Sequence, residues 1–187
     1  MRNVTFSEWQ PVYAEHGIAT IPFSPEKKPL VKHPQKFGLR GSALLTEKFG
    51  DAEIFACYAG HFNGLAAIDV DVANENVLID AIDRHGHTPI VTRSGSGHYH
   101  AWYKYNGERR RTRPWKKTEG LDIDLLGAGG AIIVPPSVTK KGDMILSRAV
   151  WTIFPTCRQC RGSALKTMWA MSRQPERISI MRNIGPS

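Results

Sequence analysis

Gly64-Leu65-Ala66-Ala67-Ile68-Asp69-Val70-Asp71-Val72 is a short apolar run that ends in two carboxylates one residue apart. Its apolar part is too short for a helix and follows a glycine, so it reads as a buried strand with an acidic tip. Side chains two apart on a strand point to one face, which projects Asp69 and Asp71 together, roughly 6 to 7 Å apart. Carboxylates at that spacing repel one another, and a hard divalent cation that takes oxygen ligands relieves the repulsion. The alternative is a strand end running into a solvated turn, and the rest of the chain has to decide between them.

Working outward from the strand, Asn74 is placed to cap a helix in which Val77, Leu78, Ala81 and Ile82 form one apolar stripe, with Gly86 as its stop. The acid pair therefore sits at a strand-to-helix junction, where the carboxyl ends of strands commonly build sites. On the other side, Asp51 is expected to cap a short helix through Tyr58 that buries Ile54, Phe55 and Tyr58. Residues 30 to 45, with Lys32, His33, Lys36 and Arg40 among glycines, read as a long loop. Ser7 is the expected cap of a first helix carrying Trp9, Val12, Tyr13 and His16 and ending at Gly17, followed by a strand over Ile18 to Phe23. The turn Ser24 to Pro29 holds Lys27 and Lys28, either phosphate contacts or ordinary solvated charge.

Downstream, Ile90 to Arg93 and Tyr99 to Tyr105 read as strands joined by Ser94-Gly95-Ser96-Gly97, whose glycines let the backbone come close to a ligand. His98, His100, Trp102 and Lys104 share one face by alternation. The densest basic stretch follows, Arg109-Arg110-Arg111-Thr112-Arg113-Pro114-Trp115-Lys116-Lys117. Its cations suit phosphates and Trp115 suits base stacking, as in a single-strand contact; the alternative is a solubilising loop. Gly120 to Leu126 carries Asp122 and Asp124 at strand spacing, and with Gly127-Ala128-Gly129-Gly130 and Ala131 to Val134 it reads as a hairpin. Ser163 is the expected cap of a last helix burying Leu165, Met168 and Trp169.

The length of 187 residues and the hydrophobic fraction of 41% fit one globular domain with a real core. Lys and Arg outnumber Asp and Glu 25 to 17, a formal charge of +8 that suits a polyanionic partner. The N-terminal residues lack the apolar core of a signal peptide, and no run approaches the roughly 18 apolar residues of a membrane span, so a cytoplasmic protein without membrane attachment is expected. Cys57, Cys157 and Cys160 make an odd number, which argues against a disulfide framework. Cys157-x-x-Cys160 lacks the second ligand pair that tetrahedral zinc requires, so no zinc is expected.

An acid pair at a strand end, a Gly/Ser loop into a His-bearing strand, and a third acid before a Gly-rich turn stand in that order. The order resembles the archaeo-eukaryotic primase pattern, and specifically the bifunctional DNA primase/polymerase (prim-pol) domain found at the N-terminus of many phage and plasmid replication proteins. The matching pieces, across roughly residues 10 to 147, are Lys27-Lys28-Pro29-Leu30, Ala67-Ile68-Asp69-Val70-Asp71, Ser94 to His100, and Asp124 to Gly130 followed by Ile132-Ile133-Val134-Pro135-Pro136-Ser137. The resemblance implies an α+β fold, an RNA-recognition-type antiparallel sheet backed by helices with an N-terminal α/β lobe beside it, and a catalytic domain over 1–147 followed by a helix and tail of unknown role over 148–187.

It implies template-directed nucleotidyl transfer in replication, with Asp69, Asp71 and Asp124 holding two ions of Mg²⁺ or Mn²⁺ and His100 contacting the incoming nucleotide. Ser94, Gly95, Ser96, Gly97 and His98 would line the nucleotide site with it. Arg109, Arg110, Arg111, Arg113, Lys116 and Lys117 would bind nucleic acid, the partners being a single-stranded DNA template and NTP or dNTP. Two ambiguities stay open: Asp122 shares the face of Asp124, and His98 shadows His100 where the family commonly has glycine. Ala131 departs from the family's frequent aromatic, and the likeness fades after about Ser147. With no Gly-x-x-x-x-Gly-Lys-Ser/Thr loop in the chain, unwinding would fall to a separate helicase. Two rivals remain: a rolling-circle replication nuclease using His98-Tyr99-His100 as a His-hydrophobic-His metal motif, and a single-strand-binding module whose catalytic site has decayed.

Overall fold

The computed structural model describes residues 4–88, 90–116, 120 and 122–146. The helix expected from Ser163, Cys157, Cys160 and Lys117 all lie outside the described residues. In chain order the elements are α1 (Phe6–Ala14), β1 (Thr20–Phe23), α2 (Leu39–Leu44), α3 (Thr46–Phe49), β2 (Ile54–Tyr58), β3 (Leu65–Val70), α4 (Glu75–His85), β4 (Val91–Arg93), β5 (Tyr99–Lys104), β6 (Ile123–Leu126), β7 (Ala131–Ile133), β8 (Val138–Thr139), β9 (Gly142–Asp143) and β10 (Ile145–Leu146). The architecture is mixed α+β: a five-stranded sheet ordered β10-β4-β5-β3-β6, a three-stranded sheet ordered β1-β2-β7 and the small β8-β9 pair, with antiparallel pairing throughout.

The central strand is where the apolar run placed it. Its alternation distributes side chains between two cores: Leu65 and Ala67 join Phe6, Tyr13, Phe55, Trp102, Leu126 and Ile132, whereas Ile68 and Val70 join Leu78, Ala81, Tyr99, Tyr103 and Leu125. One face of the large sheet is thus covered by α4. The other packs on α1 and the small sheet at the Leu65 end of β3, and at its far end this same face carries Asp69. Helix α4 forms as its signals require: the Asn74 carboxamide oxygen accepts from the Asn76 amide at 3.0 Å, and the Gly86 amide closes on Ile82 O at 2.8 Å.

Four expectations are corrected. Ser7 is not a helix cap: α1 begins at Phe6, and its first amides donate to the carbonyls of Ala52 (Phe6, 2.8 Å) and Gly50 (Ser7, 2.9 Å), which take the place of a capping side chain. Residues 54 to 58 are not a helix but β2, because a continuous apolar run buried on both faces and paired on both edges, with β1 and β7, satisfies its backbone better as a central strand. The 30–45 segment is not a long loop: it holds a 3₁₀ turn, Pro34–Lys36, and α2, pinned where the buried Ser42 hydroxyl donates to Thr20 O at 2.6 Å. Finally, β6 and β7 do not form a hairpin, since β6 pairs with β3 and β7 with β2, so that Gly127 to Gly130 carries the chain from one sheet to the other. Gly127 lies so close to the Glu108–Arg109 backbone that a Cβ would sit 2.4 Å from Glu108 O.

Candidate active site

Antiparallel register brings the acids together. Asp69 is opposed to His100 on β5 and to Asp124 on β6, and His100 is opposed in turn to Thr92 on β4. Directly opposed residues share a face, so Thr92, His100, Asp69 and Asp124 form one row across four strands. The imidazole Nε2 of His100 lies 3.2 Å from Asp69 Oδ1, with the two side chains only 14% and 19% exposed. This contact is close but off the hydrogen-bond line, and Asp69 Oδ1 is buried without a hydrogen-bond partner.

Two residues along β3, past its end, Asp71 projects into solvent and takes a contact from His98 Nδ1 at 3.1 Å. The His98–Asp71 contact thus lies just beyond the end of the ladder in which His100 is opposed to Asp69. The two His–Asp pairs differ in access: Asp71 is 66% exposed, and His98 is the more open of the two histidines.

Asp122 and Asp124 have different neighbours. Asp122 lies ahead of β6 and is engaged by two cations, Arg113 Nε at 2.6 Å and Lys116 Nζ at 3.3 Å. Asp124 instead faces Asp69 and accepts only the Arg113 backbone amide, at 3.0 Å, among the described hydrogen bonds.

The Ser94–Gly97 loop is a tight connection in which Ser94 Oγ accepts from the His98 amide at 3.1 Å and lies 2.9 Å from Ser96 Oγ. Its glycines admit the chain's own backbone: a Cβ on Gly95 would fall 2.3 Å from Lys141 O, and one on Gly97, whose φ is +85°, would fall 2.9 Å from Ala73 Cβ. Arg93, which sequence reasoning passed over, lies beside this loop with its guanidinium over the Tyr99 ring at 5.6 Å. A cation immediately ahead of a Gly/Ser loop was the signal for it.

The basic segment lies along the outer edge of β6, where Arg111 and Leu125 exchange backbone hydrogen bonds of 2.9 and 2.8 Å. Arg109, Arg110, Arg111, Arg113 and Lys116 are exposed, although Arg113 and Lys116 are partly held by Asp122. Trp115 does not offer itself to a base. It is 1% exposed and packs at 4.1 Å between ring centroids on His85 of α4, because an indole at a sheet edge gains more by burial against the helix than by standing in water. It anchors the segment instead.

Tyr99 and Tyr103 are turned into the α4 core, and the Tyr103 hydroxyl donates to Gly86 O at 2.8 Å, with burial pushing its pKa up. Neither offers a nucleophile to the face that carries the histidines.

Asp69, Asp71 and Asp124 are hard oxygen donors sharing one face, and Asp69 Oδ1, buried beside His100 with no hydrogen-bond partner, is an atom a cation would satisfy. Like charges directly opposed across strands destabilise a sheet, so the Asp69–Asp124 pairing is not explained by folding. Among the described residues no three His, Cys, Asp or Glu side chains converge closely enough to hold a metal ion as they stand. Among the described residues no helix is long and apolar enough to cross a membrane.

No curated protein matches the chain. The family profile described as bifunctional DNA primase/polymerase, N-terminal, matches residues 10–156, a span that contains β3, the Gly/Ser loop, the basic segment and Asp124. With most of its length covered by that match, the chain belongs to the family of bifunctional DNA primase/polymerase N-terminal domains.

Proposed function

We propose that this protein is a template-directed nucleotidyltransferase, a DNA primase/polymerase that serves replication of a phage or plasmid. The observation that carries the reading is Asp69 standing between His100 and Asp124 in one row on the open end of an antiparallel sheet, within a family-matched chain. The order β4-β5-β3-β6, in which the first of four successive strands lies between the third and the fourth, supports the RNA-recognition type of sheet and the archaeo-eukaryotic primase fold.

In this reading Asp69, Asp71 and Asp124 hold two divalent cations, Mg²⁺ or Mn²⁺, which supply activation of the attacking hydroxyl and charge neutralisation at the triphosphate. Asp69 and Asp124 are opposed across the strands and Asp71 is exposed beyond them, and these three would hold the cations. His100 orients the Asp69 carboxylate from 3.2 Å. His98, with Nδ1 on Asp71 and its side chain 32% exposed against 14% for His100, is the better placed of the two to reach a phosphate. The basic edge strand supplies the template contact, Arg109, Arg110 and Arg111 being exposed and unclaimed by Asp122.

The test is incorporation of labelled nucleotide on a single-stranded template, with and without primer and with Mg²⁺ or Mn²⁺. Incorporation that depends on template and cation supports the reading; its absence under all of these conditions, in folded protein, contradicts it.

A further inference from the structure

Away from the acid row, the turn between β2 and β3 carries an exposed aromatic that the reaction does not use. Phe62 is 55% exposed, the only aromatic among the exposed large hydrophobic residues of the described chain, and its ring lies 4.1 Å from that of His61 at 36°. The turn is not loose. Gly60 and Leu65 bridge across it, and the buried Asn63 side chain clamps it to β1, accepting from the Ala19 amide at 2.8 Å and donating to Ala19 O at 3.3 Å and Tyr58 O at 2.9 Å. A fixed scaffold thus holds an apolar ring at the surface beside His61.

Beside the ring is a recess of about 170 Å³ with Tyr58 and Phe37 on its walls and Gly60, Ala128 and Gly129 among its lining. That is below the roughly 300 to 1,000 Å³ of a cleft that encloses a whole small molecule, so the recess suits part of a ligand and not a whole one. The surroundings are cationic. Arg110 lies close enough to act on the Tyr58 hydroxyl, countering the burial that pushes its pKa up. Arg109 forms a parallel bridge with Ala128, Arg111 bridges Leu125, and the Arg113 amide reaches Asp124. The basic edge strand therefore runs from the rim of the recess to the acid row.

We propose that this recess, with His61 and Phe62 at its mouth, takes one unstacked base of the single-stranded DNA template whose phosphates lie along Arg109 to Arg111. Aromatic stacking with a cationic track is the general way a protein grips a single strand without reading its sequence. The proposal rests on the template-binding reading above and adds to it a site for a base.

The test is binding of a single-stranded oligonucleotide, and of the same backbone with abasic sites, to wild-type protein and to Phe62→Ala and Phe62→Trp. Phe62 is exposed, so its truncation leaves the core intact, which circular dichroism checks. Phe62→Ala should bind the natural oligonucleotide at least about fivefold more weakly, with the salt slope unchanged and with wild-type affinity for the abasic strand. Phe62→Trp should restore binding. An unchanged affinity of Phe62→Ala for the natural strand, or an equal loss on both strands, overturns the proposal while leaving template binding standing. Displacement of the strand from wild-type protein by mononucleotide alone would put the incoming base in the recess and overturn it too. A wild-type protein that binds no single strand overturns both readings.

Discussion

Asp69 of β3 and Asp124 of β6 are direct partners across an antiparallel ladder, so that both side chains stand on one face of the sheet, with His100 opposed to Asp69 from its other flank. Asp122, two residues earlier, is instead held by Arg113 and Lys116. The two acids should therefore separate on mutation. Partners one shell outside a metal are worth about 10- to 100-fold, so replacing a ligand itself should cost at least the upper end of that range. Asp124→Asn should lower nucleotide incorporation at least about a hundredfold, whereas Asp122→Asn should retain most of it and loosen the basic segment. Parallel incorporation assays on the two variants check this, and the reverse ranking would move the third acid to Asp122.

The two histidines should fail differently. His98 is open and paired with an exposed carboxylate, while His100 is enclosed beside Asp69. If His98 reaches the triphosphate as proposed, His98→Ala should raise KM for nucleotide with a smaller change in kcat. His100→Ala should lower kcat, because it frees the Asp69 side chain. Steady-state kinetics with varied nucleotide separate these outcomes; a KM effect confined to His100→Ala would return the phosphate contact to that residue.

Single-strand binding should follow the basic edge strand. Removing one cation from a phosphate lowers the salt slope by about 0.7, so replacing Arg109, Arg110 and Arg111 together with Ala should flatten it by about 2 and weaken binding. Affinity for an oligonucleotide across a salt series reads both quantities. An unchanged slope would mean that the template lies elsewhere, the Lys27–Lys28 turn and Lys32 being the next cations to test.

The parts of this site that depend on local pattern were legible in the sequence. A short apolar run after Gly64 assigned the strand and the two-residue period of a strand its acidic face, and Asn74, the apolar stripe and Gly86 assigned α4, because these signals act within a few residues. What local pattern could not show was partner choice. Ile54 to Tyr58 carries no period, and a five-residue apolar run fits either a helix segment or a strand buried on both faces until β1 and β7 are known to flank it. The Gly127 to Gly130 turn has hairpin chemistry but joins two sheets, and Trp115 sits in a polar stretch whose covering element, α4, lies some thirty residues earlier. The third acid was ambiguous for the same reason: strand spacing makes Asp122 and Asp124 equivalent, and only the register with β3 and the Arg113 contact distinguish them.

Alkaline pH should destabilise the fold through its buried acids of weak acidity. Burial pushes the Cys57 thiol up to about 12, from an unfolded value of about 8.5. A group whose neutral form is favoured by folding contributes stability that is complete below the unfolded pKa and is lost as pH rises toward the folded one. Tyr13 and Tyr103, also raised by burial, add to the loss at higher pH. The melting temperature should hold near neutrality and fall steadily above about pH 8.5. Cys57 should resist iodoacetamide in folded protein and react on unfolding, as peptide mapping of the alkylated chain would show. Equal alkylation in both states would contradict its burial.

If the carboxylate row performs metal-dependent nucleotidyl transfer, Asp69, its middle member, is the residue the reaction can least spare. The decisive measurement is labelled-nucleotide incorporation on a single-stranded template by wild-type protein and by Asp69→Asn, with circular dichroism and oligonucleotide binding as controls for fold and template. Incorporation by the wild type should require a divalent cation, and Asp69→Asn should show none above background while remaining folded and binding template with wild-type affinity. Wild-type levels of incorporation by folded Asp69→Asn protein would contradict the assignment of this row as the catalytic centre.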